Sequence, residues 1–565
     1  MSPAYTMFDD PASISTDSGH LSYQQQYPLL TRGRVAPALR KFFEHLHCLP
    51  SLAFLHRPSV MRLYHSQEAD PALIASIVAV SSRLPGTSSE ESSIGFRCAE
   101  ITESLVSMTL KQPSFFRLQA LLLLLRFRLW TGSMNDPLML MSYLARSALL
   151  LKLNYETFRP SSFVQESRRR LVWAIYMLDV SLADGLSEYS TLPINTIHLR
   201  LPCMEDDFEL DTDTLSERVN PAGNVTGWRL GIIGYYIRIV HLNDQILRYI
   251  KRLINTKAEP NAAEFLKFEE DLSDFQARLP GHERYSHKTL ALRAFSPRLA
   301  RFVMTHVWWH VCHCQLFRPL LSTIPQTYSP KLVTALGEVL VVEYQKKCLE
   351  YAIQAVSILS ALQTLDTEVY VLDVDMAECA FKLSEILLLS SEEIKGRLGI
   401  SQAVIVQHVS VCLRFSESLL EMYPTVKLIV TDLASALSSF TKGEPCFANI
   451  VVQQTSPRQA ITRHSALQRA NFADDSHKLE ITSSSGDQTP NLASAGRLSG
   501  LQTTPSTTLA AYNLGSLTGL EMNLSTGQSE QTFLWQGEVP DIWDQISLFR
   551  GPFESGELEE HETGI

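Results

Sequence analysis

Apolar residues along most of this chain recur every three or four positions, the spacing of a helix face, and almost nowhere alternate in twos over a useful length. The densest run is 168–186, RRRLVWAIYMLDVSLADGL. Three arginines open it, then Leu171, Ile175, Leu178 and Leu182 form one stripe with Val172 and Trp173 beside it. Apolar cover on nearly every side predicts a helix enclosed by other helices. Asp179 interrupts that cover and needs a partner, because a lone buried charge is too costly. Trp173 and Tyr176 suit a core position that also offers a polar handle.

The same period predicts helices through most of the chain. Leu39, Phe42, Phe43 and Leu46 share a first face, and Pro58 opens the next helix, a position proline favours. Further helices are expected over 72–82, 94–111, 115–130, 138–153, 163–185, 228–254, 259–278, 297–318, 329–365, 401–422 and 425–440, with Gly132 as a C-cap. Residues 187–227 form the first long irregular stretch. About fourteen helices without a strand pattern predict an all-α fold, a large irregular multi-helix array with disordered N- and C-terminal tails. No fixed-period repeat supports a regular solenoid. The expected segments are a disordered N-terminus (1–33), an all-α domain (34–441), a disordered Ser/Thr/Gln-rich linker (442–520) and an acidic-aromatic tail (521–565).

At 565 residues and 45% apolar, the chain can fill a large core, which excludes global disorder. The longest apolar stretch, LQALLLLL at 118–125, is closed in by Arg117, Arg126 and Arg128. It falls well short of the ~18 residues of a membrane span and reads as a buried helix, so no membrane partner is expected. The N-terminus, MSPAYTMFDDPAS, shows neither the basic nor the apolar region of a secretory signal. Nine scattered cysteines, odd in number and mostly in apolar stretches, fit a reducing compartment. The net charge of −11 opposes broad adhesion to nucleic acid. From Lys442 onward, seven basic and fifteen acidic residues carry eight of those eleven charges.

Candidate chemistry is sparse. A binuclear zinc cluster needs six closely spaced thiolates beginning with C-x2-C, and Cys312-His313-Cys314 has the wrong spacing. His306, His310 and Cys314 share one helical line and could ligate zinc, but Trp308 and Trp309 beside them favour a packing face. Glu205, Asp206, Asp207, Glu209, Asp211 and Asp213 raise diphosphate–Mg²⁺ chemistry. Their expected place in a loop, and Leu210 where a D-D-x-x-D motif needs aspartate, favour a solvated acidic cluster. Arg168, Arg169 and Arg170 read as a helix entrance, one of them pairing with Asp179 or another inner carboxylate, rather than as an import or phosphate patch. No nucleophilic triad, P-loop or dinucleotide fingerprint occurs, so the expectation is no enzyme and no catalytic residues. In the tail, Phe533, Trp535, Trp543, Ile546, Leu548 and Phe549 lie among carboxylates, a pattern that can fold into a coactivator groove or dock on its own domain.

Arg169, Arg170, Leu171, Trp173, Tyr176, Leu178 and Asp179 resemble the signature helix of the fungal transcription-factor regulatory domain, the middle homology region that accompanies zinc-cluster modules. Phe54-Leu55-His56-Arg57-Pro58-Ser59, Leu201-Pro202-Cys203 with Glu205 and Phe208, and Leu316-Phe317-Arg318-Pro319 resemble further phrases of that family. Gly185-Leu186-Ser187 departs from the family's Gly-Arg-Pro turn, and Phe317 stands where histidine is usual. The resemblance implies a nuclear regulator of RNA polymerase II genes, often of metabolic pathways or biosynthetic clusters. Its implied partners are coactivators or the transcription machinery, a DNA-binding partner or a second copy, and a small-molecule inducer. Zinc belongs to the family's DNA-binding module, whose ligands this chain lacks, so no cofactor is expected. Either the gene model is truncated, or DNA contact comes through a partner. The runner-up is an all-α small-molecule binder or enzyme on the same fold.

Overall fold

The computed structural model describes residues 27–447, except 109–110, 133–136, 158–161, 213–215, 221–229, 256–258 and 366–371, together with 464–466 and 469. The expected N-terminal tail up to 26, most of the 442–520 linker and the whole acidic-aromatic tail, including Phe533, Trp535, Trp543, Ile546, Leu548 and Phe549, lie outside the described residues.

Eighteen α-helices occur among the described residues, with no strand and one isolated bridge between Tyr155 and His198. The fold is all-α. In chain order the helices are α1 (Arg32–Lys41), α2 (Arg57–His65), α3 (Pro71–Ser81), α4 (Ser89–Met108), α5 (Phe115–Thr131), α6 (Pro137–Leu150), α7 (Ser162–Ala183), α8 (Glu205–Glu209) and α9 (Ile232–Asn255). Then follow α10 (Ala262–Arg278), α11 (His287–Leu292), α12 (Leu299–Phe317), α13 (Pro330–Leu336), α14 (Glu338–Gln363), α15 (Asp375–Leu389), α16 (Glu392–Arg397), α17 (Gln402–Ser418) and α18 (Lys427–Lys442).

Helices that are apolar all round sit innermost. α3 is buried from Ala72 to Ser81 and packs on α1, α4 and α5. α12 is buried along nearly its whole length against α9, α10, α14 and α15. α7 lies between these groups, touching α6 and α9. Local signals close the helices where expected. α5 starts on Ser114, whose side chain accepts from Arg117 N–H, and ends on Gly132 at φ +67°.

Several features depart from the sequence reading. The span 329–365 is two helices, α13 and α14, parted at Gly337, whose φ of +81° a helix cannot carry. The acidic stretch at 205–209 is a helical turn rather than loop, and Glu205 in it is buried. α15, for which no helix was expected, is buried from Met376 to Leu388 despite Glu378, Lys382 and Glu385. The helical body also gathers chain beyond 441: His464, Ser465, Ala466 and Arg469 are all buried. No helix among the described residues is long and apolar enough to cross a membrane.

Candidate functional site

The residues singled out on α7 form one buried polar junction. Glu166 receives Arg170 Nε at 2.7 Å and Arg169 Nη1 at 3.4 Å, one turn along the same helix. Arg169 also makes a two-pronged contact with Glu156, at 2.9 and 2.8 Å, the planar fork matching the carboxylate. Arg170 then donates to the carbonyls of Cys203 at 3.0 Å and Ala53 at 3.3 Å. Its guanidinium lies 4.2 Å from the centre of the Phe208 ring. Arg168 donates to the Lys152 carbonyl. None of the three arginines pairs with Asp179, as the sequence reading had allowed; inner glutamates take that role for Arg169 and Arg170.

The junction fixes irregular backbone. Glu156 accepts from Arg200 N–H at 2.8 Å, and Glu166 accepts from Cys203 N–H at 3.0 Å. Trp173 Nε1–H donates to the Arg200 carbonyl at 2.7 Å. Asp179 holds the next turn, accepting from Ser190 Oγ, Thr191 N–H and Oγ, and Leu192 N–H at 2.5 to 3.1 Å. Four hydrogen bonds satisfy this buried carboxylate without a counter-charge. Gly185, which opens the turn after α7, has φ +78°, and a Cβ there would lie 2.6 Å from Leu247 on α9. Tyr176 meets His241 Nδ1 through its hydroxyl at 2.8 Å.

Two of the other singled-out phrases, 54–59 and 201–208, converge on the same place. His56 packs its ring 4.6 Å from Phe163 and 4.9 Å from Phe208. Arg301 of α12 pairs with Glu205 at 3.0 Å and donates to the carbonyls of Cys48 at 2.8 Å and His47 at 2.6 Å. Burial, with Arg301 and Arg170 nearby, drives the His47 pKa down to about 3. The neutral ring donates from Nε2 to the Leu55 carbonyl at 2.8 Å. Arg318 reaches elsewhere, to Glu385 of α15 at 2.5 Å.

A family model, the fungal-specific transcription factor domain, matches residues 39–351, more than half of the chain. The chain belongs to that family. Its similar curated relatives are transcription factors of the Zn(2)-C6 fungal type from Fusarium oxysporum f. sp. lycopersici. FTF1c is 25% identical over 297 residues, 47% of this chain and 32% of the relative. FTF1a and FTF2 are each 25% identical over 297 residues, again 47% of this chain, and 27% and 28% of those proteins. The matched region spans about a third or less of each relative's length. Arg169, Arg170, Trp173, Tyr176 and Asp179 all fall inside the family domain, on α7.

Within the family domain, the histidine line of α12 lies in the core. His306 Nε2–H donates to the Glu283 carbonyl at 2.9 Å, and Cys314 bonds the Cys348 carbonyl at 3.6 Å. His313 stacks on Tyr351 at 4.1 Å. Burial lowers His306 to about 4 and His310 and His313 to about 3, keeping all three neutral. No cluster of three or more His, Cys, Asp or Glu among the described residues could hold a metal.

Two spaces adjoin α9. A cleft of about 410 Å³ between α9 and α10 is walled by Tyr235, Arg238, His241, Lys267, Asp271 and Phe275, among others. A smaller cavity of about 40 Å³ is lined by Ser51, Arg126, Tyr236, Trp308, Asp373 and Lys382, among others. In it Arg126 Nε, Trp308 Nε1 and Asp373 Oδ1 have no protein hydrogen-bond partner among the described residues. Burial raises the Asp373 carboxyl above its ordinary value, opposed by Arg126 at 3.6 Å. Sequence reasoning missed this cluster because Arg126, Trp308 and Asp373 come from three distant segments.

Proposed function

We propose that the chain is a nuclear regulator of RNA polymerase II genes, its helical body serving as regulatory domain and its acidic-aromatic end, 521–565, as an activation segment. The observation that carries the reading is the family domain itself, placed over 39–351, with its signature side chains converging on one junction. The relatives' description as transcription factors and the interleaving of Trp543, Ile546, Leu548 and Phe549 with carboxylates support it. Such a segment meets coactivators by folding an apolar face into a groove. DNA contact would come from a zinc-cluster module or from a partner protein. The test tethers residues 521–565 to a heterologous DNA-binding module at a reporter promoter. Activation well above the module alone is expected, and background output sinks the reading.

The cleft between α9 and α10 favours an added role for a small-molecule inducer. Its ~410 Å³ falls in the range of metabolite sites, with two aromatic rings and several charges in its wall. His241 in that wall touches Tyr176 of α7, so an occupant would lean on the signature helix. Asp271→Trp, which sets an indole in the half-buried wall of the cleft, is expected to weaken inducer response while leaving the melting temperature close to wild type.

A further inference from the structure

Beyond α18 the chain returns to the helical body at His464–Ala466 and Arg469. Arg469 is buried, and its two terminal nitrogens reach two carboxylates in the first turn of α15. Nη2 lies 2.8 Å from Asp375 Oδ1, and Nη1 lies 2.9 Å from Glu378 Oε2. Nη1 also donates to the His464 carbonyl at 2.6 Å, and the Arg469 N–H donates to the Ser465 carbonyl at 3.0 Å. Arg469 thus binds residues of its own segment as well as α15. The His464 ring rests 4.1 Å from Phe381 of α15, with Nε2 3.0 Å from Asp432 of α18.

The receiving carboxylates do not depend on this occupant. Asp375 keeps its other oxygen on Ser181 Oγ of α7 at 3.1 Å. Glu378 keeps its other oxygen on Lys382 Nζ at 2.6 Å. Opening a buried ion pair is normally prohibitive because it strands a bare charge. Here each carboxylate divides its two oxygens between the body and Arg469, so departure of the arginine leaves Glu378 paired with Lys382 and Asp375 hydrogen-bonded to Ser181. Arg469, once out, regains water. Both carboxylates also line the small cavity behind, where Arg126, Trp308 and Asp373 hold unpartnered polar atoms. A planar fork with two outward N–H groups fits two acceptors offered side by side; a single ammonium fits them less well.

We propose that Asp375 and Glu378 form a guanidinium-binding site that the chain fills in cis with Arg469, making a strap that holds the start of the distal chain on the domain and restrains its output until released. The restraint rests on the reading of 521–565 as an activation segment; the site does not. Three readouts on the full chain test it. With about 10 mM methylguanidinium, Arg469→Ala gains about 2 °C in melting temperature, while wild type and Asp375→Asn/Glu378→Gln gain nothing. Proteolytic cleavage within 448–478 is about tenfold faster in Arg469→Ala than in wild type. Tethered to a heterologous DNA-binding module, full-length Arg469→Ala drives a reporter several-fold above wild type, with Arg469→Lys between them. Arg469→Gln, which keeps hydrogen-bonding groups, replaces the alanine variant if that one does not fold. Absent methylguanidinium stabilisation together with unchanged cleavage overturns the site. Faster cleavage without higher output, while tethered 521–565 alone is active, overturns the restraint. If tethered 521–565 is itself silent, the activation reading fails, and the first two readouts still decide the site.

Discussion

The entrance of α7 and the first turns of α15 both bury charged side chains, yet they use them differently. At α7, Arg170, Glu166 and Glu156 hold backbone: carbonyls and N–H groups of residues 53, 200 and 203. At α15, Glu378, Lys382 and Glu385 hold other side chains, Arg469 and Arg318 among them. A charge that secures backbone cannot be withdrawn without orphaning a peptide group, which has no second choice of partner. A charge that secures a side chain can be exchanged for water or for another charge. The first arrangement builds a permanent joint, the second one that can open.

Acid should stress the first joint through His47 and the α12 core through His310 and His313. His47, His310 and His313 are held neutral with folded pKa values of about 3, below their unfolded value. The unfolded chain therefore binds more protons below about pH 6.5, and stability falls as pH drops through the window between about 6.5 and 3. Each such group is expected to remove about 2 kcal/mol at pH 5, which urea unfolding across pH will measure. His47 borders the α7 junction, so hydrogen exchange at 47–55 should accelerate in acid before exchange at 376–388 does.

Single substitutions then separate the joints directly. Glu166→Ala leaves Arg170 buried without its carboxylate and Cys203 N–H without its acceptor, and is expected to cost about 3–5 kcal/mol in denaturant unfolding. Arg469→Ala should cost about half as much, because Glu378 keeps Lys382 and Asp375 keeps Ser181 when the guanidinium is gone. Equal costs would erase the distinction between a permanent and a releasable joint. Gly185→Ala puts a Cβ at φ +78° against Leu247 and is expected to cost about 2 kcal/mol, read as a lowered melting temperature. The exposed pair Lys331–Glu259, 2.8 Å apart, sets the floor: Lys331→Ala should change stability by less than about 0.5 kcal/mol.

The same contrast explains what could be read from the chain. α7 announced itself because its apolar residues wrap the whole helix and its charges cluster at one end. That Asp179 needed partners was also legible; that they are Ser190, Thr191 and Leu192 was not, since an ion pair and four hydrogen bonds satisfy a carboxylate equally well. α15 carries Asp375, Glu378, Lys382 and Glu385 at intervals of three and four, which reads like a solvated stripe. Their partners Arg318 and Arg469 lie far away in the chain, and no local pattern points to them. The acidic run at 205–209 misled for the same reason: Glu205 is buried only because Arg301 of α12 comes to meet it.

The stretch from Arg200 to Cys203 is gripped almost wholly from outside. Glu156, Trp173, Glu217, Ser216, Glu166 and Arg170 take its N–H groups and carbonyls at positions 200, 201 and 203, and Pro202 has no N–H to offer. Its path is thus recorded in its neighbours' side chains more than in its own. A change within the stretch itself therefore disturbs its course little, whereas truncating one of those clamps leaves a peptide group stranded.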